Sequence, residues 1–285
     1  MRRAIVAAVL MSCLSAPAFA KKVVFVESSP VADKPSVKLD PAKAYVLVRT
    51  EVPVPMMWIK DPSPEDLKTY NEMRAKALAK AKAKYVADAR IYPALVKAGS
   101  KVEKPVEPTE ENFQFTPFAA LANVVFGPAF RFAKKDDGAS TYLQEITPGT
   151  YSLYALGLSG NVQSICFCMG SLRFDVAAGE VVDLGRIGVD TQEGDTGREK
   201  VDRQTDDNSV PPSTSFRLTP ATADMEVDPR LAAAHIRPAA YRPAGKVPNF
   251  LGVIISRLPE TPGVVRYERD HIIDLTAAPA SIAGQ

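Results

Sequence analysis

The stretch 147–185 constrains the fold of this chain more than any other. Pro148-Gly149 and Ala178-Gly179 cut it at turn signals, and between them apolar and β-branched residues recur in runs of strand length. Phe174 and Val176 alternate with Arg173 and Asp175, the period of a strand buried on one face. The pattern predicts strands at 141–145, 149–156, 164–169, 172–176 and 180–184. Further apolar, β-branched runs predict strands at 22–26, 44–49, 56–59, 250–257, 263–267 and 272–275. Val52-Pro53-Val54-Pro55 reads as extended or edge structure, because proline cannot donate to a central ladder.

With 24 prolines in 285 residues, long helices are scarce, and one is expected. Ser63 suits an N-cap, Pro64 the first helical position, and Glu65 and Asp66 the positive helix end. Leu67, Tyr70, Met73, Ala77, Ala81, Tyr85 and Ala89 then recur at three- and four-residue steps. The insertion is expected over about 63–92, with its stripe packed on the strands. Pro93 bends or ends it, and Gly99 is a C-terminal stop. Lys76, Lys80 and Lys84 form a like-charged row, which reads as a solvated face and less as a contact for an anionic polymer or lipid headgroups. The charged, proline-broken stretch 101–111 reads as a loop. The apolar stretch 113–132 is split by Gly127-Pro128 and reads as two core segments.

Residues 1–20 have the form of a signal peptide. Arg2 and Arg3 precede an apolar run, and Ala18-Phe19-Ala20 is the small-x-small pattern that signal peptidase accepts, so cleavage after Ala20 is expected. The remaining part of about 265 residues has no apolar run near the roughly 20 that a spanning helix needs. Residues 21–189 then form a β-sandwich with the helical insertion, 190–225 a flexible polar linker, and 226–285 a C-terminal segment whose strands return to the sandwich. The expected fold class is mainly β: an antiparallel sandwich with one inserted long helix and an irregular, proline-rich C-terminal portion. Asp136-Asp137-Gly138 reads as a hairpin turn and 277–285 as a frayed tail.

Charge narrows the function. Of 35 Lys+Arg against 33 Asp+Glu, removal of Arg2 and Arg3 leaves 33 against 33. A balanced chain lacks the excess of cations on which nucleic-acid affinity rests. Export also removes Cys13, leaving Cys166 and Cys168 in an oxidising compartment. On a regular strand, residues i and i+2 sit at the outer edge of disulfide reach, so a bond between Cys166 and Cys168 needs a turn, which Gly170 permits. A local disulfide and a pair of buried thiols are both open readings; metal binding, intermolecular pairing and redox exchange are weaker ones. Two thiolates fall short of a closed zinc site, and neither His235 nor His271 stands at a ligand spacing from them. No metal, no cofactor and no catalytic residue is assigned. No complete Gly-x-Ser-x-Gly nucleophile elbow is present: Leu158-Ser159-Gly160 is followed by Asn161 where the second glycine would stand.

Pro148-Gly149-Thr150-Tyr151, the alternating strands after it, Cys166-Phe167-Cys168-Met169-Gly170-Ser171, Ala178-Gly179-Glu180-Val181 and Val182-Asp183-Leu184-Gly185 together resemble carboxypeptidase-regulatory-like, transthyretin-like sandwiches of secreted bacterial proteins. The resemblance covers about 141–189 and, less clearly, 38–60. It implies an accessory or binding module without catalytic residues. The function expected is a periplasmic or extracellular, non-enzymatic envelope protein, structural or binding a ligand, envelope protein or polymer. Two alternatives stand beside it: an envelope hydrolase with dispersed residues, such as His271 with Asp270 or Asp274, and a thiol-active protein using Cys166 and Cys168.

Overall fold

The structure is a computed structural model that describes residues 23–51, 54–134, 139–157, 164–191 and 214–277. The expected signal peptide, the expected turn at 136–138, Leu158-Ser159-Gly160, most of the polar stretch and the last eight residues lie outside the described residues. Among the described residues no helix is long and apolar enough to cross a membrane.

The fold is mainly β. In chain order its elements are β1 (Ser28–Pro30), β2 (Ala44–Thr50), β3 (Met56–Lys60), α1 (Pro64–Lys97), α2 (Phe118–Leu121), β4 (Asn123–Phe126), β5 (Ala133–Lys134), β6 (Ser140–Ile146), β7 (Gly149–Leu156), β8 (Ile165–Cys166), β9 (Ser171–Val176), β10 (Glu180–Thr191), β11 (Thr214–Thr219), β12 (His235–Pro238), β13 (Arg242–Ala244), β14 (Ile254–Ile255), β15 (Val265–Glu268) and β16 (His271–Asp274), with a 3₁₀ turn at Pro229–Leu231. The first sheet runs β1-β6-β2-β10-β11, with β5 also on β6 and β12 also on β10. The second runs β13-β9-β7-β3-β4, with β8 on β7 and β14 on β8. Antiparallel pairs dominate; β2 and β12 run parallel to β10, and β14 runs parallel to β8.

Both sheets turn one face to a common core. Val46, Val48 and Tyr142 with Val182 and Leu184 come from the first sheet, and Trp58, Leu153, Phe174 and Val176 from the second. Trp58 lies parallel to Phe126 at 6.3 Å and meets Phe174 edge-on at 5.2 Å, arrangements that follow the ring quadrupoles. The outer faces are covered as well. Tyr45, Leu47, Leu143 and Val181 lie under Val37, Leu39, Leu231 and Ile236, while Met57, Ile59 and Tyr154 lie under Val247, Phe250 and Val253. This is why 44–48 and 56–59 read as unbroken apolar runs: every residue of β2 and β3 is buried, including Arg49, Thr50 and Lys60 at their ends. Each large aliphatic side chain so placed contributes on the order of 1.5–3 kcal/mol.

Several expectations change. Residues 23–27 form no strand; Phe25 is buried instead against Phe118, 4.9 Å away. The polar linker 190–225 contains β11, whose Phe216 and Leu218 enter the core from a stretch that is polar on average. The strand at 164–169 shrinks to Ile165–Cys166 before a turn, and that at 250–257 to Ile254–Ile255. The irregular, proline-rich C-terminal portion also holds β12, paired with β10 of the first sheet, and β13, paired with β9 of the second.

Helix α1 runs past Pro93 to Lys97, five residues beyond the expected end. Its start is the expected one. Ser63 Oγ accepts from the Asp66 amide, and the Asp66 carboxylate accepts from the Ser63 amide, a capping box. Its end is a Schellman turn: the Gly99 amide donates to Val96 O and the Ser100 amide to Leu95 O, with Gly99 at φ 75°. The stripe does not pack on the sandwich. Only Leu78 of the helix is buried, and α1 lays its length along neither sheet.

Candidate functional site

Cys166 and Cys168 lie at disulfide distance, 1.98 Å between sulfurs and 5.2 Å between Cα atoms. The short Cα separation arises because the chain leaves β8 at once. The Phe167 amide donates to Tyr154 O, and the Gly170 amide donates to Phe167 O, closing a turn. Both cysteines are buried in the outer cluster of the second sheet. Beside the turn, Met169, Lys246, Ser256, Arg257, Tyr267, Arg269 and Asp270, the carboxylate weighed with His271, line a cleft of about 280 Å³. Burial pushes the Tyr267 phenol up to about 12 against the opposing effect of the Arg257 cation, whose guanidinium stands 4.7 Å from the ring centre.

The residues weighed for dispersed hydrolysis are not brought together. His235 is exposed on β12, at the edge of the first sheet, whereas Cys166 belongs to the second. His271 is exposed on β16, opposite Glu268. Asp274 accepts from the Thr276 hydroxyl and from the Thr276 and Ala277 amides, which hold its carboxyl below the usual range; it terminates the hairpin. Among the described residues no three of His, Cys, Asp or Glu gather as metal ligands.

Two polar constellations escape a reading of the sequence. Arg49 and Asp183 are both buried and form a two-pronged pair, Arg49 Nη1 donating to Oδ1 at 2.7 Å and Oδ2 at 2.9 Å. Arg49 Nη2 also donates to Glu226 O at 3.0 Å, and Asp183 Oδ1 accepts from the Gly185 amide at 2.9 Å. The pair joins parallel β2 and β10 where their register shifts. Gly185 is obligatory there: φ is 89°, and a Cβ would come within 2.1 Å of Thr219 O. The second constellation lies on the outer face of the second sheet. Thr150 Oγ1 donates to Asp175 at 2.6 Å, Arg242 donates to Asp175 at 2.5 Å, and Arg173 stands 3.9 Å from Asp61. Burial raises the Asp61 carboxyl, opposed by the Ser152 hydroxyl and Arg173.

The helical arm is the remaining unusual feature, and its base is built carefully. Buried Lys60, the last residue of β3, donates to Asp66 at 2.6 Å, tying the capping box to the second sheet. Burial resists ionisation of Asp66, but Lys60 and the Ser63 donors prevail and hold its carboxyl low. The chain returning from the helix covers the stripe that the sandwich does not. Tyr70 packs on Phe115 at 5.5 Å and Phe118 at 5.8 Å and donates to Thr116 O. Arg74 pairs with the Glu110 carboxylate and donates to Glu110 O at 2.8 Å. Further out, Asp88, Tyr92 and Leu95 face Val102, Pro105 and Val106 across a cleft of about 460 Å³. Val86, Ile91, Val96 and Val106 are each exposed, at 65%, 52%, 49% and 77% of their surface. Single exposed aliphatics are ordinary; Val86, Ile91 and Val96 stand five residues apart and ring the helix rather than share one face, so the arm end is apolar on several sides.

Fold and site together define a two-sheet, mainly-β body carrying a self-covered helical arm. Comparison with protein-family models, with curated proteins and with solved structures finds no match to the chain.

Proposed function

We propose that this chain is an exported, periplasmic or extracellular envelope protein, a non-enzymatic module of the carboxypeptidase-regulatory-like, transthyretin-like sandwich type that engages a partner through its arm. The observation that carries this reading is the arm itself. A 34-residue helix is anchored at its base by Lys60 and Asp66, covered on one side by its own return chain, and left open on the other with an exposed apolar end. A helix whose stripe served only the core would lie along a sheet. Burial of Cys166 and Cys168 favours a structural role for that pair over thiol exchange, because exchange requires an accessible sulfur.

The test uses the tagged full chain and a variant in which 80–106 is replaced by a short Gly-Ser turn, each crosslinked in an envelope fraction. The secreted product is expected to begin at Lys21, and a component retained by the full chain is expected to be missing from the variant. Equal retention on both baits overturns the reading. So does a hydrolytic activity that His235→Ala or His271→Ala abolishes.

A further inference from the structure

We propose that the outer face of α1 binds a linear acidic polysaccharide in a shallow channel floored by alanines and rimmed by cations. This rests on the reading of the chain as a partner-binding module and names the chemistry of the partner. At roughly 100° per residue, exposed Ala79, Ala83 and Ala87 form one row along the helix. Exposed Lys76, Lys80 and Lys84 flank it on one side, and exposed Lys82 and Arg90 on the other, with Lys97 at the far end. Between Met73 and Lys97 the helix carries no exposed carboxylate. Its acids Glu65, Asp66 and Glu72 lie near the N-terminus, and half-buried Asp88 faces the return chain. The ion pairs of α1 among the described residues are Asp66 with Lys60 and Arg74 with Glu110, so the rim cations are uncompensated.

Like charges four residues apart weaken a helix, so the row Lys76-Lys80-Lys84 does not serve helix stability. It serves something anionic. An anionic bilayer fits less well, because interfacial helices set Trp, Phe or Leu beside their cations, and this face presents alanines with Val86 and Ile91 and no aromatic ring. A plane also meets one side of a helix, whereas these cations spread over about half its circumference. Single-stranded nucleic acid needs aromatic platforms, and Tyr92 faces the return chain, with half-buried Tyr85 seven residues before it on the same side of the helix. A flexible chain of carboxylates can settle between the two rims.

The experiment titrates the full chain with polygalacturonate, and in parallel with phosphatidylglycerol vesicles, an oligothymidylate and neutral dextran. Saturable, salt-sensitive binding to polygalacturonate is expected to be the tightest of the four. The combined variant Lys76→Gln/Lys80→Gln/Lys84→Gln should weaken it at least about tenfold, by loss of three charges near an anionic surface. Lys34→Gln/Lys38→Gln, away from the arm, should leave it unchanged. Glutamine matches lysine as a helix former, so the helical circular dichroism should persist. No saturable binding, an equal loss in the control variant, or tighter binding to vesicles or oligonucleotide overturns the proposal. Arm-dependent capture of a partner without polysaccharide binding overturns this inference and leaves the module reading intact.

Discussion

Arg49 and Asp183 show how much one buried contact can decide. The two are 134 residues apart in sequence, yet they meet where parallel β2 and β10 change register. Removing one partner leaves a charge uncompensated in the interior, so Asp183→Ala is expected to cost about 3–5 kcal/mol, read as a fall in the urea midpoint. Adding Arg49→Met should recover much of that loss, because a buried ion pair gains little over apolar residues of similar volume. Nothing in the sequence announces the pair, although a faint signal exists: Asp183 is flanked by Val182 and Leu184 inside a strand expected to be core. Its partner is supplied by topology, which alternation does not encode. The cysteines were more legible. Their spacing posed the question of a turn, and hydrogen bonding at Phe167 and Gly170 supplies one.

At the scale of elements, local chemistry was legible wherever it was sufficient. Ser63-Pro64-Glu65-Asp66 places the helix start, β7 spans the 149–156 expected after the Pro148-Gly149 turn signal, and β9 stands where alternation puts it. Proline at 93 did not stop the helix, because hydrogen bonding on either side and the Schellman turn at Gly99 sustain another turn. β11 was hidden because two inward residues, Phe216 and Leu218, were outweighed by polar neighbours. β12 was hidden because it is held by backbone pairing with β10 and has no fully buried residue to mark it. The β10–β12 junction is also where pH acts. Arg237 donates two hydrogen bonds to Glu180 Oε2, at 2.8 and 3.2 Å, and holds that carboxyl below its ordinary value against a smaller effect of burial. A folded value depressed below the unfolded one contributes stability that is present at neutral pH and lost as pH falls through the folded value. Glu180→Gln should therefore cost about 0.5–1 kcal/mol at pH 7, with the difference from the parent vanishing in acid; denaturant melts across pH check this.

The molecule as a whole separates a body from an arm. The body buries the inner faces of both sheets and much of the outer ones, whereas the arm buries one helical residue, Leu78, and is covered along one side by its return chain. Replacing 80–106 by a short turn should then shift the midpoint of thermal unfolding by only a few degrees, since about 1 kcal/mol moves Tm by roughly 2–4 °C in a chain of this size. A shift above about 10 °C would show that the arm end is part of the folding core. The covering of the body has a different consequence. The lids on the two outer faces come largely from the last third of the chain: the 226–236 segment over the first sheet, and Val247, Phe250 and Val253 over the second. A ribosome that has delivered everything up to β10 has therefore released two sheets with uncapped apolar backs. Such fragments carry the sticky surfaces that proteases and chaperones recognise. Completeness is in effect self-certifying: a chain clipped or terminated early advertises its own defect, and one that reaches Asp274 conceals it.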